Sequence, residues 1–259
     1  MARKSKRGSY NQESENKIED VVIEQEAIIP EAEVTEEMKQ EEAINTPETA
    51  VSVVEEAPER DKEATIRRIK DNALRFGKEY FEKSKASGCD YSHSGEWQKQ
   101  YAEMIHRLVN LKDRNVLDIG GAFGSQSYAF SKHGTKKVVC TDISKHAIDS
   151  KMFPGVEYLV LPIQHMKSIG DAAYDFVHIS HVMEHVDAID HERCVKEIAR
   201  ILSSKGVCMI LGNYKETETL KEYFQKYMEC EFVEVSEAQD KPFGFFKNYK
   251  WNYLIVVRK

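Results

Sequence analysis

Val116-Leu117-Asp118-Ile119-Gly120-Gly121-Ala122-Phe123-Gly124 is the stretch whose reading decides the fold. A short apolar strand runs into a glycine-rich turn, and Ser125–His133 then reads as a helix stopped by Gly134. Glycines suit such a junction because the chain turns sharply and a ligand can approach the backbone closely. The dinucleotide fingerprint G-x-G-x-x-G is met only at Gly120, since Ala122 and Ser125 hold its other two positions. The pattern D-x-G-x-G-x-G fits better, with Asp118, Gly120 and Gly124 in place and Ala122 for the middle glycine.

Working outward from that turn, strands and helices alternate. Lys137–Thr141 reads as a second strand ending on Asp142, 18 positions beyond Gly124. A carboxylate there can accept hydrogen bonds from both hydroxyls of a ribose, or it can merely cap the next helix, near Lys145–Lys151. Val156–Leu161 and Tyr174–Ser180 read as strands three and four, Arg193–Leu202 as a helix, and Val207–Leu211 as strand five. A helix over Thr219–Met228 follows, then strands Phe232–Val235 and Tyr253–Val257 with no clear helix between them, which suggests an antiparallel closing pair. The alternation implies an α/β fold, a mostly parallel sheet covered by helices on both faces.

Upstream of the sheet, Ile66, Ile69, Ala73, Phe76 and Tyr80 form one helical stripe, broken at Ser87-Gly88. Trp97, Tyr101, Met104, Ile105, Leu108 and Val109 share a face of a second helix. Residues 61–111 therefore read as a helical lid or N-terminal extension to a main domain at 112–259. Residues 1–60 carry 16 acidic and 7 basic side chains, with no aromatic after Tyr10. Such a segment cannot bury enough apolar surface to offset the entropy of ordering, so a disordered acidic tail is expected. Its patches Val21-Val22-Ile23, Ala27-Ile28-Ile29 and Val51-Ser52-Val53-Val54 could recruit a protein partner, although a solvated linker is the plainer reading.

The tail carries the net charge of −7, because the remainder holds 28 acidic and 30 basic residues. A nearly neutral main domain gives no reason to expect a nucleic-acid partner. Five cysteines without a C-x-x-C spacing argue against a disulfide framework or zinc ribbon. With neither a secretory leader nor a run of some eighteen apolar residues (~18), a cytoplasmic location is expected.

Four stretches together resemble the class I S-adenosylmethionine-dependent methyltransferases, a family with a seven-stranded Rossmann-like sheet. They are VLDIGGAFG (116–124), VVCTDIS (138–144), YDFVHISHVMEHV (174–186) and CVKEIARILSSKGVCMI (194–210). The resemblance runs from about Asn115 to Ile210, and the last strand fits the family's closing hairpin. It implies S-adenosyl-L-methionine as cofactor. Asp118 and the backbone of Gly120, Gly121, Ala122 and Gly124 would face its methionine part, Asp142 its ribose and Ile143 its adenine. Ser180, ending strand four, belongs to the same expected set. Two departures stand out. Ala122 and Phe123 narrow the loop, and the aspartate often found after strand three is replaced by Leu161-Pro162-Ile163-Gln164, which leaves adenine recognition to Ile163 or Gln164.

Methyl transfer from a sulfonium needs alignment and exclusion of water, and a base only when the acceptor carries a proton. His178, His181 and His185 cluster at the end of strand four with Glu184, and histidine has the pKa for that task. His181, Glu184 and His185 are the catalytic candidates. The same residues spell H-x-x-E-H, an inverted zinc-protease motif, but they follow a strand inside a nucleotide-binding alternation, so a protease is not expected. Some O-methyltransferases that the chain resembles hold a divalent ion through Glu and His at this stretch, a minor alternative at Glu184 and His185; the expectation is no metal, because His181 stands where those enzymes would show an acid. The acceptor expected is a small or medium-sized molecule or a sugar-bearing one, methylated at oxygen or nitrogen. Two rival readings are a catalytically inactive methyltransferase-fold scaffold and an aminopropyl transferase, the latter disfavoured because no acidic polyamine-binding cluster follows strand four. Aromatic candidates for closing the pocket are Tyr91, Trp97, Tyr101, Tyr214 and Phe243–Phe246.

Overall fold

The computed structural model describes residues 59–92, 94–213, 215–233 and 252–259. Residues 1–58 of the tail, Tyr214 and the Phe243–Phe246 run lie outside them. The unit Glu63–Lys259 holds the whole sheet. Helices α1 (Glu59–Arg75), α2 (Lys78–Ala86) and α3 (Glu96–Val109) precede the sheet. Then come β1 (Asn115–Ile119), α4 (Ser125–Ser131), β2 (Lys137–Asp142), α5 (Lys145–Ser150), β3 (Glu157–Val160) and β4 (Tyr174–Ser180). After β4 follow two 3-10 turns (Met183–His185, Ala188–Asp190), α6 (His191–Ile201), β5 (Leu202–Gly212), α7 (Thr217–Tyr227), β6 (Cys230–Val233) and β7 (Asn252–Arg258).

The seven strands are ordered β3-β2-β1-β4-β5-β7-β6. All pairings among β1–β5 are parallel, while β7 runs antiparallel to both β5 and β6. The order reverses at β1, so the ends of β1 and β4 open a crevice where ligands bind in sheets of this kind.

Side chains alternate across the strands and sort the core into two layers. Leu117, Ile119, Val177, Ile179, Cys208 and Ile210 meet Val195 and Ile198 of α6 and Leu220 and Phe224 of α7. Val116, Phe176, Val207 and Met209 meet Tyr101, Met104 and Ile105 of α3 and Phe130 of α4 on the other face. The thiols of Cys140, Cys194 and Cys208 are buried, and burial pushes each well above its ordinary pKa, which makes them apolar filler.

Several local expectations are corrected. The stripe Ile66–Tyr80 does not form one helix, because the chain breaks after Phe76 and Gly77 caps α2, accepting the Tyr80 N–H. Only part of the α3 stripe is core, with Leu108 exposed; α3 itself lies against the sheet and not over the strand ends. β5 begins at Leu202, directly after α6, with an irregular pairing between Tyr174 and Phe176 before the ladder resumes.

Candidate active site

The glycine turn is built by the strand ends beside it. Gly120 and Gly121 donate their N–H groups to the Thr141 carbonyl at 2.7 and 3.0 Å, bending the chain off β1. Gly120 has φ 72°, and a Cβ there would run into Val182 Cγ2. Gly124 has φ 83°, and its Cβ would lie 2.5 Å from the Tyr158 hydroxyl. These glycines are thus fixed by close packing of protein on protein. Ala122 also holds a left-handed φ, 51°, at a cost on the order of 1 kcal/mol for a residue with a Cβ. That conformation aims its N–H at Asp142 Oδ2, 2.9 Å away.

Asp142 ends β2 and is 8 % exposed. Its other oxygen accepts the Ser144 N–H at 2.8 Å. Burial pushes its carboxyl up to about 6, against the pull of the Ser144, Ala122 and Ile143 amides, while the Asp118 charge adds to the rise. A carboxylate offers about four acceptor sites, so each oxygen keeps capacity for a further hydroxyl.

One cleft at the switch point gathers much of the sequence-derived set. Gly120, Ala122, Asp142, Ile143, Ile163, Gln164 and Ser180 line one part of it. His181, Val182, His185 and Val186 line another, and Asn72, Phe76, Tyr80, Phe81 and Tyr91 face them from upstream of the sheet.

His181 sits just beyond β4 with φ 56°, its N–H bonded to the Leu211 carbonyl. Its Nδ1 donates to Glu184 Oε1 at 2.7 Å, and that oxygen also accepts the Asn213 N–H at 3.3 Å. Burial alone would raise the Glu184 carboxyl; the His181 hydrogen bond and charge and the Asn213 amide outweigh it and hold it below its ordinary value. Glu184 Oε2 is buried without a partner, against Gly212, where any Cβ would collide with it. His185 packs its ring 5.1 Å from Phe76, and burial lowers its pKa, leaving the imidazole neutral at pH 7. The H-x-x-E-H residues span a left-handed bend at His181 and the 3-10 turn Met183–His185, so His181 and His185 do not share a helical face. His191 Nε2 braces that turn, 3.1 Å from the Met183 and Val186 carbonyls.

Two expectations fail on burial. Asp118 does not line the cleft, being 2 % exposed with both oxygens engaged: Ser127 donates to Oδ2 at 2.6 Å and His178 Nδ1 to Oδ1 at 2.8 Å. His178 does not join the other histidines, because strand alternation turns it to the α3 face, where the Tyr101 hydroxyl meets its Nε2 at 2.8 Å. Gly121 and Gly124 shape the turn and are not among the cleft residues. Sequence reasoning missed Asn72, Phe76, Tyr80, Phe81 and Val182; the α1 stripe was the available signal, but it reads equally as core.

Residues 117–210 match the family described as methyltransferase domain. The match runs from β1 to β5. Its fold is similar to that of a TehB-like S-adenosylmethionine-dependent methyltransferase from Corynebacterium glutamicum, with 21 % identity, a TM-score of 0.52, and 75 % of this chain and 100 % of that one covered. It is also similar to an S-adenosylmethionine-dependent methyltransferase from Mesorhizobium loti, with 11 % identity, a TM-score of 0.50, and 62 % and 98 % covered. No curated protein matches the chain in sequence. Among the described residues no helix is long and apolar enough to cross a membrane, and no group of three or more His, Cys, Asp and Glu side chains is placed to hold a metal ion.

Proposed function

We propose that the domain transfers a methyl group from S-adenosylmethionine to an oxygen or nitrogen of a small or medium-sized acceptor. The observation carrying this reading is that one cleft holds both Asp142, poised at the end of β2, and His181, oriented by Glu184. Asp142 would receive the ribose hydroxyls, Ile143 would flank the adenine, and Ile163 or Gln164 would meet its edge. When bound, the cofactor supplies a methyl group already activated on a sulfonium. His181 takes the acceptor's proton through Nε2, because Nδ1 is held by Glu184. Glu184 is a positioning residue that fixes the tautomer and favours the imidazolium formed. His185 and the rings of α1 and α2 exclude water.

Calorimetry of the full chain with S-adenosylmethionine and its demethylated product tests the reading. Binding that vanishes in Asp142→Ala supports it, and no binding at about 1 mM cofactor removes it. A non-catalytic scaffold is the second reading, supported by Val182 packing onto Gly120 where the loop would otherwise open.

A further inference from the structure

The acceptor side of the cleft has a composition of its own. Phe76 and Tyr80 meet edge to face at 4.9 Å, Tyr80 and Phe81 at 5.2 Å, and Tyr80 stacks on Tyr91 at 6.4 Å. At one end Phe76 touches the His185 ring. This aromatic wall is anchored. Arg68 on α1 grips Asp190 with Nε–Oδ2 at 2.6 Å and Nη2–Oδ1 at 2.8 Å, and Thr65 donates to the same carboxylate at 3.0 Å. One turn further along, Asn72 Nδ2 donates to the His185 carbonyl at 3.0 Å. The rings therefore present a preformed aromatic wall of alternating faces and edges in the same cleft as the proposed base.

Charge narrows what can lie on that surface. No Lys or Arg is among the described residues lining the cleft, so a phosphate or carboxylate would find no cationic side chain on its walls to pair with directly, the Arg75 guanidinium standing over Phe76 and outside the lining. An ammonium group is attracted by aromatic faces, but the Arg75 guanidinium already stands 5.3 Å from the Phe76 centroid and repels a second cation. Asp142 lies at the β2 end, and Glu184 is committed to His181. The acidity of the hydroxyl narrows it further. A phenolic hydroxyl near ~10 yields its proton to a general base far more readily than an aliphatic one near the ~15.7 of water.

Resting on the methyltransferase reading, we propose that the acceptor is an uncharged aryl alcohol, methylated on its ring hydroxyl. The hydroxyl proton passes to His181 Nε2 and the oxygen lone pair forms the O–C bond. The C–S bonding pair returns to sulfur, giving an aryl methyl ether and the demethylated cofactor, and His181 then releases the proton to water. Tyr80 and Phe76 select the ring.

The full chain, first shown by calorimetry to bind the demethylated cofactor, is offered 4-propylphenol, 4-propylcyclohexanol, 4-propylbenzylamine and 4-propylphenyl phosphate with labelled methyl donor. Binding to the cofactor complex is followed in parallel by ligand-observed NMR. The phenol is expected to bind at about 1 mM and to be methylated at least about tenfold faster than the others. Tyr80→Leu and Phe76→Leu should each raise KM for the phenol by about tenfold, with cofactor Kd within about threefold. A phenol that fails to bind, binds without being methylated, or is outpaced by the alcohol, amine or phosphate overturns the acceptor assignment and leaves the methyltransferase reading standing. Failure at the calorimetry step overturns that reading instead.

Discussion

Asp118 and His178 occupy paired positions on the adjacent parallel strands β1 and β4, and a 2.8 Å hydrogen bond joins them in the interior of the sheet. Ser127 extends the pair into α4 and Tyr101 into α3, so four elements meet at one buried polar cluster within an apolar layer. Removing one member of such a cluster leaves its partners buried and unsatisfied. Asp118→Ala is expected to lower stability to urea unfolding by about 3 kcal/mol, while cofactor affinity of the folded protein stays within about threefold because Asp118 does not reach the cleft. A large loss of affinity at unchanged stability would restore the cofactor role expected for Asp118.

Asp142 gives stability and binding opposite pH dependences. Its folded pKa of about 6 lies above the ordinary 3.8, so the native state holds more protons between those values. Its contribution to stability therefore improves as pH falls from about 6 towards 4, by up to about 3 kcal/mol at 1.36 kcal/mol per pKa unit. Accepting two hydroxyls requires the carboxylate, so cofactor affinity should weaken about tenfold from pH 7 to pH 5. Asp142→Asn should flatten the pH dependence of cofactor Kd and remove this stability increment. Thermal melts and titrations at the two pH values read both signs.

His181 and His185 separate kinetically. His181→Ala should lower kcat by about 100-fold or more, in the range ascribed to general bases, with little change in cofactor Kd. Glu184→Gln keeps the side chain's shape but withdraws the charge that supports the imidazolium, so kcat should fall and its pH profile move. His185→Ala is expected to cost less, about tenfold, because its ring contributes packing against Phe76. Equal losses for the two histidines would reassign the base.

Gly120 and Val182 form a testable pair. Gly120→Ala adds a methyl group at φ 72°, against Val182 Cγ2, and should destabilise by about 2 kcal/mol or more. Val182→Ala removes the obstructing methyls, so the double variant should recover part of that loss. A strictly additive double-mutant cycle would mean that the backbone conformation, and not the contact, governs this glycine.

Most of the fold was legible because its elements announce themselves locally. β1, β2 and β4 are apolar runs followed by polar or glycine-rich punctuation, and the match over 117–210 falls on the stretches that carried the resemblance. The directions of side chains were harder to read. Asp118 and His178 have the residue types of a reactive site, yet strand alternation places both on the α3 face, a matter of register that spacing along one strand does not disclose without its neighbours. The helical break at Gly77 was equally hidden, since the apolar stripe continues through it while the backbone does not. The aromatic wall could be suspected only in part: Tyr91 carries a signal, but Phe76 and Tyr80 read as ordinary core until α1 and α2 are placed over the cleft.

The Arg68–Asp190 grip couples two motions that could otherwise be independent. Asp190 closes the turn leading into α6, and Asn72 holds the His185 carbonyl from the same helix that carries Arg68. Any swing of α1 that widens the mouth of the cleft must either break a part-buried, two-pronged ion pair or drag the His181–His185 segment with it. Under the proposed function, admission of ligand and alignment of His181 are consequently geared together, so a cleft caught open is also one caught out of tune.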